Sequence, residues 1–209
     1  MVSVCVPFYV VDKEGVEMTL NCAEGFEENL RDGDELVLVD DASPFDHKIE
    51  SLRNKVNLGN AGAWNVCVGE SEGDIILLSD NDITPFAWRA PMLKALEKYD
   101  VVFPVVYNES IAREERHLAG ECFMFKRSLY EKIGPFDEGY GSYFEDTDWF
   151  KRVQVVGGTL GIAEGSHVSH KSQGTFSKIW GPEKRAEVFN KNKSRYESKF
   201  GTEYPYLNT

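Results

Sequence analysis

The apolar and polar positions of the chain alternate between strand-like and helix-like segments from the first residue onward. Short apolar runs predict buried strands, whereas apolar residues at every third or fourth position predict amphipathic helices. The first half predicts strands at Val2–Val6, Glu35–Val39, Lys55–Asn57, Asp74–Leu78 and Val101–Val106. Between them it predicts helices at Val16–Leu30, Asp46–Leu52, Ala61–Glu70 and Phe86–Tyr99. Repeated strand–helix units of this kind predict an α/β domain with a largely parallel sheet.

The repeated strand–helix pattern ends at Tyr107, and the elements that follow come in a different order. The sequence there predicts a strand near Glu121–Phe125, a helix at Arg127–Ile133, a glycine-rich aromatic loop, a helix at Phe144–Val155 and a strand over Thr159–His170. The later stretch GPEKRAEVFNKNKSRYESKF carries charges of alternating sign at helical spacing. This predicts a solvated amphipathic helix, with docking to a membrane surface or an acceptor as the alternative.

Composition narrows the function classes that fit this pattern. With 209 residues and a hydrophobic fraction of 42%, the chain is expected to bury one core as a single domain. No apolar run reaches the ~20 residues that cross a bilayer, and the N-terminus lacks signal-peptide features. A net charge of −12, with 35 acids against 23 bases, argues against nucleic acid as a partner.

The four cysteines indicate the compartment. Cys5, Cys22, Cys67 and Cys122 are widely spaced, and none forms a CxxC pair. Buried, reduced thiols are therefore expected rather than a disulfide or zinc framework. This predicts a cytoplasmic location.

Acidic residues follow two of the predicted strands directly. In IILLSDNDITP, Asp80 and Asp82 come after an apolar run, and Pro85 is expected to end strand pairing. Open α/β sheets bind ligands at the carboxyl ends of their strands, and two carboxylates there can share one Mg²⁺ or Mn²⁺ ion. In LVLVDDAS, Asp40 and Asp41 hold the same position after another strand. Turns and helix caps are the structural alternatives at both places.

A third acidic cluster lies in GYGSYFEDTDWFKR, which contains Glu145, Asp146 and Asp148. Acids in the first turn of a helix gain from the helix dipole, so at least one of them is expected to cap the helix. The aromatic residues around the cluster predict a wall against which a sugar ring can pack. Burial among such rings raises the pKa of a carboxylate and suits it to act as a general base.

The histidines contribute one further candidate. His47 and His117 lie in polar surroundings and are expected at the surface. His167 and His170 lie three residues apart near the end of a predicted strand, so they point to opposite faces. At most one of the two is therefore expected to face a site.

Taken in order, these motifs resemble the inverting family 2 glycosyltransferases with the GT-A fold. The matching segments are VSVCVPFY, LVLVDDAS, NLGNAGAWN, LSDNDITP and GECFMFKRSLYEKIGPFDEGYGSYFEDTDWFKR. The resemblance runs from Val2 to about Thr175 and implies one Rossmann-like domain with a mixed, mostly parallel sheet flanked by helices. It implies a single domain over 1–209, with a nucleotide-sugar-binding half (1–107), an acceptor and catalytic half (108–180) and a C-terminal helix (181–209).

The resemblance implies transfer of a sugar from a nucleotide-diphosphate sugar to a hydroxyl of a glycan or glycoprotein acceptor. A UDP-linked hexose or deoxyhexose is the default donor. Tyr9 and Asp41 would hold the nucleobase, and Asp80 would hold the ribose. The other implied donor-binding residues are Pro7, Asn57, Gly59 and Asn81. More faintly, the short chain resembles virus-encoded transferases that decorate the capsid glycans of large algal viruses, which would place it in a host cytoplasm.

The resemblance also implies a metal and a base. Asp82 would bind a divalent cation, Mn²⁺ or Mg²⁺, and His170 would complete that site, with His167 as the alternate. Asp146 would be the general base that deprotonates the acceptor hydroxyl, with Glu145 beside it. The implied acceptor-binding residues are Tyr143 and Trp149.

Two residues depart from the family pattern. Trp64 stands where many members carry an arginine, so a positive contact to the diphosphate is missing and Lys171 is one candidate to replace it. Val10 stands where an asparagine often follows the tyrosine of the first strand, which weakens the case for base recognition.

Three other functions stay open at this stage. DNDIT also fits the D-x-D-x-T pattern of haloacid-dehalogenase-type phosphohydrolases, with Asp80 as nucleophile and Asp82 as general acid. Sugar nucleotidyltransferases have a related sheet but need an arginine-bearing glycine-rich loop, which PFYVVDKEG is not. A non-catalytic nucleotide-sugar or glycan-binding module is the third alternative.

Overall fold

The computed structural model describes residues 1–171 and 178–201. The strands are β1 (Val2–Phe8), β2 (Glu35–Asp40), β3 (Leu52–Arg53), β4 (Ile75–Ser79), β5 (Ile83–Pro85), β6 (Val101–Asn108), β7 (Arg113–Glu115), β8 (Cys122–Lys126) and β9 (Leu160–His170). The helices are α1 (Lys13–Glu27), α2 (Gly59–Glu70), α3 (Arg89–Ala95), α4 (Arg127–Ile133), α5 (Glu145–Val155) and α6 (Pro182–Phe200). The last part of the helix predicted over 181–209, and the end of the resemblance near Thr175, lie outside the described residues.

All of these strands belong to one mixed sheet of order β3-β2-β1-β4-β8-β6-β9-β5, with β7 paired to β6. The strands β3, β2, β1 and β4 run parallel, and β8 is antiparallel to both β4 and β6. Side chains alternate between two apolar cores, one under α2 and α5 and the other under α1 and α3. The predicted α/β class, with a mixed sheet flanked by helices, is confirmed.

The sheet topology gathers several chain segments at one edge. Strands β1 and β4 are parallel neighbours, with Cys5 opposite Leu78, so their carboxyl ends meet. Strand β9 pairs with β5 in such a register that His170 lies opposite Ile83. The residues that follow β1 and β4 and the last residue of β9 therefore come close together.

The segment between β2 and α2 differs from the prediction. No helix forms over Asp46–Leu52, and the strand predicted at Lys55–Asn57 forms instead at β3. The cause is the buried carboxylate of Asp40, which contacts both Arg53 Nη1 and His47 Nε2. These contacts hold the segment in an irregular path, and they bury His47, which was wrongly expected at the surface.

Strand β5 was not predicted, because Pro85 was expected to end pairing. Pro85 instead pairs with Val168, and β5 is the last strand of the sheet. An edge strand tolerates proline because its outer side needs no backbone donor. The helix predicted over Phe86–Tyr99 is shorter at its start for a related reason, since the Phe86 amide donates to His167 O rather than entering α3.

Two further observations concern the cysteines and the length of the helices. All four cysteines are free and buried, which agrees with the prediction of buried thiols. None of the helices in the described parts of the chain is long and apolar enough to cross a membrane.

Candidate active site

A cavity of about 320 Å³ opens at the edge where β1, β4 and β9 end. Nine residues implied for donor or metal binding line it: Pro7, Tyr9, Asp41, Asn57, Gly59, Asp80, Asn81, Asp82 and His170. Phe8, Asn60, Ala63, Ser142, Ile179 and Trp180 complete the lining. Among the nine implied residues, the structure therefore brings together positions up to 163 apart in the chain, from Pro7 to His170.

Asp80, Asp82 and His170 form a triad of possible metal ligands in this cavity. One ligand atom from each lies within 4.8 Å of the others, and His170 Nε2 lies 3.2 Å from Asp82 Oδ1. The Asp80 amide donates to Glu121 O at 2.8 Å, which fixes the turn that leaves β4. Burial, followed by the charge of Asp82, raises the pKa of Asp80 well above its ordinary value.

The triad has the donor set that suits a hard divalent cation. The Asp82 side chain is 7% exposed, and its Oδ1 faces His170 Nε2 at 3.2 Å without a well-directed hydrogen bond from the described residues. A buried carboxylate oxygen without a well-directed donor is costly, and a bound cation would offset that cost. Carboxylate and imidazole ligands fit Mn²⁺ well and Mg²⁺ through the carboxylates.

The alternate histidine is directed elsewhere. His167 Nδ1 lies 3.7 Å from Glu114 Oε1, and its side chain is largely outside the cavity. It lies three residues from His170 on the same strand, so the two side chains leave the sheet on opposite faces. The structure therefore places His170, and not His167, with the aspartates.

Asp41 anchors the loop that leads into α2. Its carboxylate accepts hydrogen bonds from the amides of Leu58 (2.9 Å) and Gly59 (3.0 Å) and from Asn54 Nδ2 (2.8 Å). Gly59 has φ +73°, and a Cβ there would lie 2.7 Å from Gly141 O, so glycine is required. Asp41 thus shapes the wall of the cavity as well as lining it.

The three acids at the start of α5 have different surroundings. Asp146 Oδ2 accepts from the Gly120 amide at 3.0 Å, and its Oδ1 accepts from the amide and hydroxyl of Thr147. Burial raises the pKa of Asp146, and the nearby charge of Glu121 adds to this, while the bonds from Thr147 and Gly120 oppose it. The result is a carboxylate of fixed orientation that binds protons more readily than an ordinary aspartate.

Glu145 is more deeply buried than Asp146. Its side chain is 4% exposed, Oε1 accepts from Asn60 Nδ2 at 3.0 Å, and Oε2 has no partner among the described residues. Burial, followed by the charge of Asp146, raises its pKa well above the ordinary value. Glu145 therefore holds its proton more readily than an ordinary glutamate, which suits a supporting group better than a base.

Asp148 is a structural residue. It is fully buried, and its carboxylate accepts from Arg152 Nε at 2.8 Å and lies 2.6 Å from Lys199 Nζ. The Tyr140 hydroxyl donates to it at 3.2 Å. Asp148 therefore links α5 to α6, and its burial leaves the carboxylate inaccessible to a ligand.

The sequence profile of Glycosyl transferase family 2 matches residues 3–150 of this chain. The chain belongs to that family. No curated protein matches this family 2 domain in sequence.

Solved structures of other proteins share the fold of this family 2 domain. S. aureus TarS superposes with a TM-score of 0.66 at 16% identity, over 90% of this chain and 38% of that one. TarS 1–349 in complex with UDP gives 0.64 at 12% identity, over 99% and 73%. The mannosyltransferase PcManGT from Pyrobaculum calidifontis, in complex with GDP-Man and Mn²⁺, gives 0.66 at 20% identity, over 98% and 66%. At these identities the likeness shows the fold alone, and the GT-A fold class is confirmed.

Two tryptophans of this family 2 domain lie away from the positions that the sequence suggested. Trp149 is 0% exposed, and its Nε1 donates to Gly134 O inside the core. The prediction that Trp149 binds the acceptor is wrong, because its fully buried ring is not accessible to a ligand. Trp64 also lies in the core, so its neighbour Ala63, rather than Trp64, faces the cavity. Tyr143 is partly exposed and does not itself line the cavity, although its neighbour Ser142 does.

Other residues near the site were missed by the sequence reasoning. Ile179 and Trp180 line the cavity from just before α6, although no motif marks that segment. Glu121 approaches the triad from the start of β8, and His117 Nε2 contacts its carboxylate. The sequence signal for Glu121 was its position directly after a glycine, in AGECF. His117, expected at the surface, is only partly exposed.

Proposed function

We propose that this family 2 domain transfers a sugar from a nucleotide-diphosphate sugar to a hydroxyl of a glycan or glycoprotein, with inversion at the anomeric carbon. The observation that carries the proposal is the meeting of Asp80, Asp82 and His170 in a cavity that Tyr9 and Asp41 also line. A UDP-linked hexose or deoxyhexose is the first donor to examine. The complexes of TarS with UDP and of PcManGT with GDP-Man support this donor class.

The charge of the cavity argues for a divalent cation as cofactor. Three carboxylates line it, whereas no lysine or arginine does so among the described residues. A diphosphate would be repelled there unless a cation offsets the negative charge. Lys171, the candidate replacement for the missing arginine, instead pairs with Glu14 at 2.9 Å. Asp82 and His170 would hold Mn²⁺ or Mg²⁺, which when bound neutralises charge on the leaving diphosphate.

The donor's nucleoside is proposed to bind at Tyr9 and Asp41. Tyr9, directly after β1, would offer an aromatic ring to the nucleobase, and Asp41 lines the same cavity. Asp80, which also lines the cavity, is proposed to bind the ribose. Asn57, Gly59 and Asn81 contribute further to its walls.

Asp146 is proposed as the general base. Its bonds from Gly120 and Thr147 hold the carboxylate in one orientation, so it can take a proton from an acceptor hydroxyl as that oxygen attacks the sugar carbon. Tyr143, two residues before the acidic pair, is the proposed acceptor contact. Glu145 is proposed as a supporting group whose carboxyl is held by Asn60.

Gly120→Ala is expected to lower turnover by roughly tenfold or more, with a smaller effect on donor affinity. A Cβ at this position would lie 2.9 Å from Asp146 Cβ and 2.8 Å from the Trp64 ring, so the base must shift. Gly69→Ala, in the last turn of α2 where a Cβ would meet nothing within 4 Å, is the control for the added methyl group. Steady-state kinetics that give equal kcat values for both variants would contradict the assignment of Asp146.

The proposed function is tested by release of nucleoside diphosphate from UDP-GlcNAc or GDP-mannose in the presence of Mn²⁺ and a panel of glycan acceptors. Release that depends on acceptor supports a transferase. The non-catalytic alternative predicts binding of the donor without release. Membership in family 2 argues against the phosphohydrolase alternative. A phosphohydrolase would release inorganic phosphate from a phosphate ester.

A further inference from the structure

The side chain of Asn192 in α6 is buried against the loop that leads to the proposed base. Asn192 is 1% exposed, and its Nδ2 donates to the carbonyl oxygens of Tyr140 (2.8 Å), Ser142 (2.7 Å) and Tyr143 (3.1 Å). The two N–H groups of one amide are therefore shared among three carbonyls within four consecutive residues. No side chain at the surface of α6 makes such a set of contacts in the described part of the chain.

The loop that Asn192 holds is conformationally unfavourable. Tyr143 and Phe144 have φ values of +64° and +74°, which is the left-handed region that bulky L-residues rarely adopt. Such a pair persists only when surrounding contacts determine it. Phe144 is also the residue from which α5 begins, immediately before Glu145 and Asp146. The direction of the first turn of α5 therefore depends on this loop.

The same loop connects the two halves of the site. Ser142 lines the cavity, and Gly141 O accepts a hydrogen bond from the Ala61 amide at the start of α2. The Phe144 carbonyl accepts from the Asp148 amide at 2.8 Å inside α5. A shift of the loop would thus move the proposed base relative to the donor wall.

Two further contacts dock α6 on this region. Lys199 Nζ lies 2.6 Å from Asp148 Oδ2, and the Tyr196 ring packs on Phe144 with centroids 5.8 Å apart. The family profile ends at residue 150, so α6 lies outside the part of the chain that it describes. A role for α6 in the site would therefore add to what the family profile describes.

We propose that Asn192 is a positioning residue, which holds the loop of residues 140–144 so that α5 presents Asp146 to the acceptor hydroxyl. The inference rests on the proposed function of Asp146. Through Asn192, α6 would then help to position the active site rather than form only a solvated amphipathic helix.

The test compares Asn192→Ala and the milder Asn192→Ser with Asn190→Ala, which removes an exposed residue of the same type from the same helix. Both Asn192 variants are expected to lower kcat for release of UDP or GDP from UDP-GlcNAc or GDP-mannose by ~10- to 100-fold. The Kd for UDP or GDP with Mn²⁺ is expected to stay near the wild-type value. Amide hydrogen exchange over residues 140–146 is expected to be faster in these variants and unchanged in Asn190→Ala.

Wild-type exchange over residues 140–146 in the Asn192 variants would overturn the inference, and this readout does not depend on activity. Wild-type kcat in either folded variant would also overturn it. The proposed function fails separately, if Asp146→Asn keeps wild-type turnover. Loss of turnover in Asp146→Asn with full turnover in the Asn192 variants would defeat the positioning role alone.

Discussion

Asp146→Asn is expected to lower kcat by ~10²- to 10⁴-fold, because the acceptor hydroxyl loses its general base while the fold and the donor wall stay intact. The variant keeps the size of the side chain, but its single amide oxygen can accept from the Gly120 amide or from Thr147 and not from both. Calorimetric titration of UDP or GDP with Mn²⁺ is expected to give a Kd close to that of the wild type. An equal loss of nucleotide affinity would place Asp146 in the donor site and contradict the assignment.

The pH dependence of kcat provides an independent check on the same residue. A general base acts in its ionised form, so activity rises as the pH increases through its pKa. Burial and the charge of Glu121 raise the pKa of Asp146 above 3.8, which places the acid limb of the kcat profile above that value. In Asp146→Asn the residual activity is expected to lack this limb. An unchanged limb in the variant would assign it to another group.

Asp148→Asn is expected to lower the free energy of unfolding by about 3 kcal/mol, because it breaks a buried ion-pair network. The fully buried carboxylate contacts Arg152 and Lys199, so Arg152 would lose its counter-charge, whereas Lys199 would keep only Asp137 at 2.9 Å. The estimate lies at the lower end of the usual range because the two cations are partly exposed. Turnover per folded molecule is expected to fall far less than in Asp146→Asn, although the two acids are only two residues apart.

Urea denaturation measures this effect, with Asp74→Asn as the control. Asp74 is 92% exposed and lies 3.9 Å from the N-terminal amine, so its removal is expected to change stability by less than about 0.5 kcal/mol. Equal unfolding free energies for Asp148→Asn and Asp74→Asn would show that the buried network contributes no net stability.

Much of the sheet could be predicted because its strands are short apolar runs. Strands such as Ile75–Ser79 are buried on both faces, so hydrophobicity alone marks them, and Asp80 and Asp82 mark where the strand ends. The order of motifs then indicated which strand ends would meet. This is why nine of the residues implied for donor and metal binding line one cavity.

The remaining features depend on contacts between distant parts of the chain. The helix expected after Asp46 is replaced by a loop because the buried Asp40 binds Arg53 and His47, and local propensity carries no trace of those contacts. Trp149 and Tyr143 are equally aromatic, but only the packing of α5 decides that Trp149 faces the core. Asn192 lies 49 to 52 residues from the carbonyls that it binds, so no motif could mark it.

The most direct test of the account is calorimetric titration of UDP, GDP and dTDP into the protein, with and without Mn²⁺, together with Asp82→Ala. One of the nucleotides is expected to bind in a manganese-dependent way, and Asp82→Ala is expected to abolish this dependence, since Asp82 and His170 lie together in the cavity. Failure of all three nucleotides to bind in the presence of Mn²⁺ would contradict the donor site. Equal manganese dependence in Asp82→Ala would contradict the assignment of the metal ligands.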